Sequence, residues 1–317
     1  MQSDRIETAP GWYKFKLGEF ILTVLSDGPL PITPPHRGFI GVEEDDVRRL
    51  LSENFLATDR LPLDQNVLLV DTGRHKVLID TGVGTSSVLK SRQYGPNAGR
   101  LIPNLRAAGV APSEIDIVAL THPHHDHAWG LTADGGVRNF PNAQLAISEE
   151  DFDFWTDEAK FSGSVPNPAW VAGARHSLFP YRDRLIPVRD GKELVSGVVA
   201  LAAPGHTMGH HLYAITSEGR TLLHMGDAVH HQVLLLRHPE WRVAWDTDPD
   251  LGVRTRLRML DMIENDGMIA FGYHCAWPGL GRIVKASNGY SWLATPMFWE
   301  LDQNLIPPTS NDTAASS

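Results

Sequence analysis

Cysteine is almost missing: Cys275 is the one thiol in 317 residues. That excludes an intramolecular disulfide framework and fits a reducing compartment, so the cytoplasm is the expected location. Long apolar runs are missing too. No stretch approaches the ~18 consecutive apolar residues of a membrane span, and the polar start MQSDRIETAP lacks the apolar core of a signal peptide. Positive charge is in deficit, with 28 Lys plus Arg against 38 Asp plus Glu and a net charge of −10. Such a chain has no basic field to collect phosphate backbones, so nucleic acid is not an expected partner. Internal repeats, heptads and low-complexity blocks are also absent.

What remains is a chain with 42% hydrophobic residues, enough for a sizeable core, and an unusual number of histidines, 15. Residues 1–10 and 306–317 read as flexible ends, and 11–305 as a single domain with no linker dividing it. Within it, strand and helix signals alternate. Lys14–Leu25 reads as a hairpin turning at Gly18-Glu19, and 66–70 with 76–79 as a second. Glu43–Leu56 has acids in its first turn and apolar residues at helical spacing. Further helices are predicted at about 98–109, from Ser148 onward, and from the Asp248 cap to about Asn265. Strands are expected at 115–120, 143–147, 185–188, 197–202, 211–216, 221–225 and 268–273, with a closing hairpin around Asn288-Gly289. Strands outnumber helices and many are hairpin-linked, which fits an α/β (α+β) pair of mixed sheets with outer helices better than a doubly wound parallel sheet.

The chemistry concentrates in Ile117–Gly130, IVALTHPHHDHAWG, where a strand runs into His122, His124, Asp126 and His127. Imidazoles and a carboxylate at H-x-H-x-D-H spacing suit Zn²⁺ or a similar divalent ion. Four ligands on one loop cannot all serve one ion comfortably, so two adjacent ions are favoured. Three later strand-to-loop junctions offer the rest: His206 after VVALAAPG, Asp227 after LLHMG and His274 after IAFGY. The bland alternative is a solvated histidine-rich loop, and three further residues at similar junctions count against it. His125, His210, His211, His224, His230 and His231 are expected to play ordinary polar roles. Among them His210 is best suited to orienting a ligand imidazole. Cys275 reads as a buried structural thiol.

These residues resemble the metallo-β-lactamase superfamily of hydrolases: Asp80-Thr-Gly82, THPHHDH, Gly205-His206-Thr207, Gly226-Asp227 and the late His274. The likeness to methyl parathion hydrolase and its relatives extends to LGEFILTVLSDG, FPNAQLAISEEDFDFW and PGLGRIVKASNGYSWLATP. It implies a four-layer αβ/βα sandwich with one metal on His122, His124 and His206, a second on Asp126, His127 and His274, and Asp227 bridging both. It also implies a hydroxide shared by the ions, oriented by Asp126 as the catalytic carboxylate, and an ester-like small-molecule substrate (lactone, aryl or alkyl ester, organophosphotriester). By the same resemblance the protein is expected to be a homodimer with Tyr94, Trp155 and Trp170 lining an aromatic pocket. Two alternatives on the same fold stay open: a mononuclear iron oxygenase acting on a thiol or persulfide, and a nuclease, which the acidic balance disfavours.

Overall fold

The computed structural model describes residues 9–157 and 168–301. The expected flexible tails therefore fall almost wholly outside the described residues; Ala9 and Pro10 are exposed coil.

The first half builds a seven-stranded sheet from β1 (Trp12–Leu17), β2 (Phe20–Ser26), β3 (Asn66–Asp71), β4 (Lys76–Ile79), β5 (Ile117–Ala119), β6 (Gln144–Ser148) and β7 (Leu185–Val188), in that spatial order. The β1–β2 and β3–β4 hairpins are antiparallel, and the strands from β4 onward pair parallel. Leu17 faces Phe20 across the Gly18-Glu19 turn as expected, with Gly18 at φ 57°, a conformation cheap only for glycine. The second sheet repeats the size: β8 (Glu193–Val195), β9 (Val198–Ala202), β10 (His211–Ser217), β11 (Arg220–His224), β12 (Ile269–Phe271), β13 (Leu280–Lys285) and β14 (Tyr290–Ala294). All its neighbours are antiparallel except β11 and β12.

Side-chain alternation explains the layering. Along β3, Leu68 and Val70 enter the apolar cluster between the sheets, whereas Val67 and Leu69 enter the cluster under the outer helices. Ile117 and Ala119 of β5 likewise face the other sheet, and Val118 faces the helices. On the second sheet Leu222, Ile269 and Phe271 point inward while Leu223 and Ala270 point outward. Strands buried on both faces read as near-continuous apolar runs. The outward face of the first sheet is covered by α2 (Leu101–Ala107), α4 (Glu149–Thr156) and α5 (Pro168–Leu178). Helices α1 (Glu44–Glu53), α6 (Leu234–Arg237) and α7 (Pro249–Asn265) cover the second. The result is the expected order of helices, sheet, sheet, helices.

Ser148 caps α4 by accepting from the Asp151 amide, and Asp248 caps α7 by accepting from Leu251. Helix α2 is shorter than its sequence signal. Helix α5 and strand β8 carry no signal strong enough to have been anticipated. A one-turn helix, α3 (His125–Ala128), sits at the end of β5, on the edge where the loops of both sheets meet.

Candidate metal centre

The loop after β5 and the α3 turn present His122, His124, Asp126 and His127, all at most 5% exposed. Several bonds hold this turn still. Thr81 donates to the His127 carbonyl from both its amide (2.7 Å) and its hydroxyl (2.8 Å), and Tyr273 donates its hydroxyl to the Asp126 carbonyl. Three loops of the second sheet bring the remaining residues: His206 follows β9, Asp227 follows β11 and His274 follows β12.

Three ring nitrogens form a tight triangle: His122 Nε2 to His124 Nδ1 is 3.0 Å, His124 Nδ1 to His206 Nε2 2.9 Å and His206 Nε2 to His122 Nε2 3.1 Å. A ring nitrogen is either a donor or an acceptor, never both. Three mutual contacts therefore cannot all be hydrogen bonds, because at least one pair must be alike. The edges are close to the ~3.3 Å expected between nitrogens placed about 2.05 Å from a tetrahedral zinc. Asp227 Oδ2 completes the group, 3.1 Å from His206 Nε2 and 3.7 Å from His122 Nε2.

The other oxygen of Asp227 serves a second group. Oδ1 lies 3.1 Å from His127 Nε2 and 3.3 Å from His274 Nε2, and Asp126 Oδ2 lies 3.3 Å from the same His274 nitrogen. His127 Nε2 and Asp227 Oδ1 are buried and make no well-formed hydrogen bond, close as they are to each other, a costly condition that a ring proton or a cation between them would relieve. Both groups, His122/His124/His206/Asp227 and Asp126/His127/His274, have the reach to hold a divalent ion.

The backs of the rings are held as well. His206 Nδ1 pairs with Asp246 Oδ1 (2.8 Å), His127 Nδ1 with Asp80 Oδ2 (2.8 Å), and His274 Nδ1 with the Asp64 carbonyl (2.8 Å). Thr121 gives its hydroxyl proton to Asp80 Oδ2, leaving its oxygen to accept from His122 Nδ1 at 3.0 Å. Each of these four imidazoles thus turns its Nε2 toward the common centre. Asp80 does this from the left-handed region, φ 64°, which Asp tolerates better than most residues. Burial, together with cationic neighbours, holds His122 and His124 well below the usual histidine range. Burial is the largest influence on His206 and His274 and would lower both, but Asp227, joined by Asp246 at His206 and by Asp126 at His274, overcomes it and pushes them up to about 9 and about 10.

His210 does not orient a ligand ring. Its Nδ1 bonds the Ala203 carbonyl and its Nε2 accepts from the Asp227 amide, so it props the Asp227 turn. The carboxylates that do orient rings, Asp80 and Asp246, lie 47 and 40 residues from their histidines. Among the expected pocket aromatics, Tyr94 and Trp170 wall a cavity of about 250 Å³ over the centre. Trp155 does not. It shares the inward face of α4 with Asp151, one turn earlier, and packs edge-on behind His124 with 5.1 Å between ring centroids. His230, expected to play an ordinary polar role, instead joins the centre: its Nε2 stands 3.2 Å from Asp227 Oδ2, its ring stacks on His274, and with those two residues it forms a third group with the reach to hold an ion. An apolar wall from Leu30, Ile32, Leu63 and Trp245 completes the cavity, and among the described residues that line it none is Lys or Arg.

A family model described as the metallo-beta-lactamase superfamily matches residues 60–274. A probable metallo-hydrolase of Mycobacterium tuberculosis is 30% identical over 193 residues, which is 53% of this chain and 57% of that protein. The matched region therefore spans little more than half the length of that relative. Among solved structures, AidC, a dizinc quorum-quenching lactonase in complex with an N-acyl-L-homoserine product, is similar with 28% identity and a TM-score of 0.82, covering 91% of this chain and 98% of that one. The hydrolase AbOPH is similar at 27% identity and a TM-score of 0.82, covering 93% and 100%.

Proposed function

Because this chain belongs to the metallo-beta-lactamase superfamily, we propose that it is a dinuclear metal-dependent hydrolase cleaving a neutral ester-type bond. The observation that carries the reading is Asp227, whose two carboxylate oxygens face two different histidine groups. Divalent ions bound there, zinc being the best match to the donors, would supply Lewis acidity and lower the pKa of a water toward neutrality.

The chain's own residues supply the rest. His122, His124 and His206 on one side, and Asp126, His127 and His274 on the other, fix the ions. Asp126 also lines the cavity. Burial would raise its carboxyl, but His125, His127 and His274 hold it far below the ordinary range. It is therefore an ionised acceptor, placed to help hold an ion and to orient the attacking water through a hydrogen bond. Among the described residues that line the cavity none is Lys or Arg, so away from the metal ligands its walls offer nothing to an anionic substrate, while an acyl chain or aromatic leaving group gains apolar contact with Leu30, Ile32, Tyr94 and Trp170. Lactones, aryl or alkyl esters and organophosphotriesters meet that description. A lactonase among the similar structures supports the first of these, and the last rests on the resemblance of the sequence to methyl parathion hydrolase.

A mononuclear iron oxygenase would leave Asp126, His127 and His274 without a role. We also read residues 11–305 as one domain, working as a cytoplasmic homodimer on small molecules. No described helix is long and apolar enough to cross a membrane.

The test is elemental analysis of protein purified without chelator, paired with a panel of p-nitrophenyl esters, lactones and phosphotriesters. About two ions per chain with turnover is the expected result; about one iron per chain without hydrolysis overturns it.

A further inference from the structure

Arg256, on α7, is 1% exposed and belongs to none of the groups above. Its Nε donates to the Ala228 carbonyl at 2.7 Å, and its Nη1 to the carbonyls of Pro239 (2.8 Å) and Trp241 (2.7 Å). Its Nη2 stands 3.9 Å from Asp246 Oδ2, an oxygen that is buried and has no hydrogen-bond partner. The other oxygen of Asp246 holds His206. Ala228 directly follows Asp227. One guanidinium therefore reaches two donors of the same candidate site, His206 through Asp246 and Asp227 through the adjoining carbonyl.

A buried guanidinium is expensive to desolvate, and an apolar side chain would fill the same volume under α7 without that cost. Packing alone thus gives no reason for an arginine here. Its planar fork, which can serve several acceptors at fixed angles, does. Resting on the two-ion reading, we propose that Arg256 is a positioning residue for the metal centre, acting chiefly on the His122/His124/His206 site. The second site feels it only through Asp227. Replacing the fork leaves Asp246 as a buried carboxylate without its cationic neighbour and frees the 228–241 segment, so His206 and Asp227 lose their fixed approach.

The experiment compares metal release under increasing chelator for the zinc-loaded wild type and for R256K, R256M, D246N and R256M/D246N, with melting temperatures of the same samples. In R256M one of the two ions is expected to leave at 10- to 100-fold lower chelator concentration, the usual scale for losing an orienting partner, while the other moves much less. R256K, which keeps the charge but not the fork, falls between. The double variant should release that ion little more readily than D246N alone, because both substitutions break one connection. Unchanged release in R256M overturns the proposal. So does an equal shift of both ions that tracks the fall in melting temperature, as a purely structural arginine would give. Should R256M fail to fold, R256K and D246N carry the same comparison. A wild type that binds one ion counts against the two-ion reading, and the response of that ion to R256K and R256M still decides the role of Arg256.

Discussion

In the metal-free protein Asp227 and Asp126 face buried imidazoles with only protons to balance their charge. His206 is pushed up to about 9 and His274 to about 10, and His127 lies well above its ordinary value; in each case burial opposes the shift and Asp227 leads the groups that overcome it. At pH 7 all three carry a proton on the nitrogen that must take an ion. Loading both sites should then expel about three protons per chain. The sign follows directly: each site becomes harder to fill as pH falls, and the combined affinity for two ions drops about 10³-fold per pH unit near neutrality, or ~4 kcal/mol at ~1.36 kcal/mol per proton. Calorimetric titration of chelator-stripped protein with zinc, in two buffers of different ionisation enthalpy, reads the proton count from the buffer dependence of the heat. Release of fewer than about one proton would mean that the imidazoles are already neutral, and the pairing of Asp227 with His206, His127 and His274 would have to be abandoned.

Three shorter predictions concern the scaffold. Burial pushes the Cys275 thiol up to about 12, so about one part in 10⁴ is thiolate at pH 8, and a disulfide reagent should find no reactive thiol in native protein but one after denaturation. Burial lowers His231 to about 4, and its Nδ1 accepts from the amides of Val233 and Leu234. The stability this provides is complete above the unfolded value near 6.5 and lost as pH falls through 4, about 3 kcal/mol in all; urea unfolding of metal-free H231N should show a flatter pH profile than wild type, and identical slopes would refute the assignment. A Cβ on Gly130 would lie 1.9 Å from the Thr81 carbonyl, the residue that holds the α3 turn, so G130A should cost ~3 kcal/mol or more and lower the midpoint of thermal unfolding by several degrees, as read by circular dichroism.

Much of this was legible because the signals are local. The H-x-H-x-D-H run carries its spacing within six residues, and the hairpins at Gly18-Glu19 and Asn288-Gly289 announce themselves by turn chemistry. Layering was legible from strands apolar on both faces. What escaped depends on distance or rotation. The Asp246 carboxylate and the Asp64 backbone carbonyl reach their histidines across 40 and 210 residues, and nothing near either position marks it as a partner. The Ser148 cap phases α4 so that Asp151 and Trp155 point inward together, and the sequence does not show that this inward face lies behind His124 and away from the cavity. His230 reads as an ordinary polar histidine because its approach to Asp227 depends on the turn that separates them, a conformation the sequence VHH does not advertise. Helix α5 hides its signal in WVAGARHSL, where Gly173 lies against the Trp129 indole and a histidine and an arginine interrupt the apolar spacing.

Of the seven converging side chains, four hang from the first sheet and three from the second. Any ion they share would therefore be a rivet through two plates that otherwise meet by apolar contact and a few hydrogen bonds, such as those from Asn66 to the Gly272 and Cys275 carbonyls and from Tyr213 to the Leu120 carbonyl. Its departure would loosen the seam as well as silence the chemistry, and its arrival late in folding would lock two halves that must already have found each other. Metal supply would then govern how long the molecule survives in a cell, and not only how fast it works.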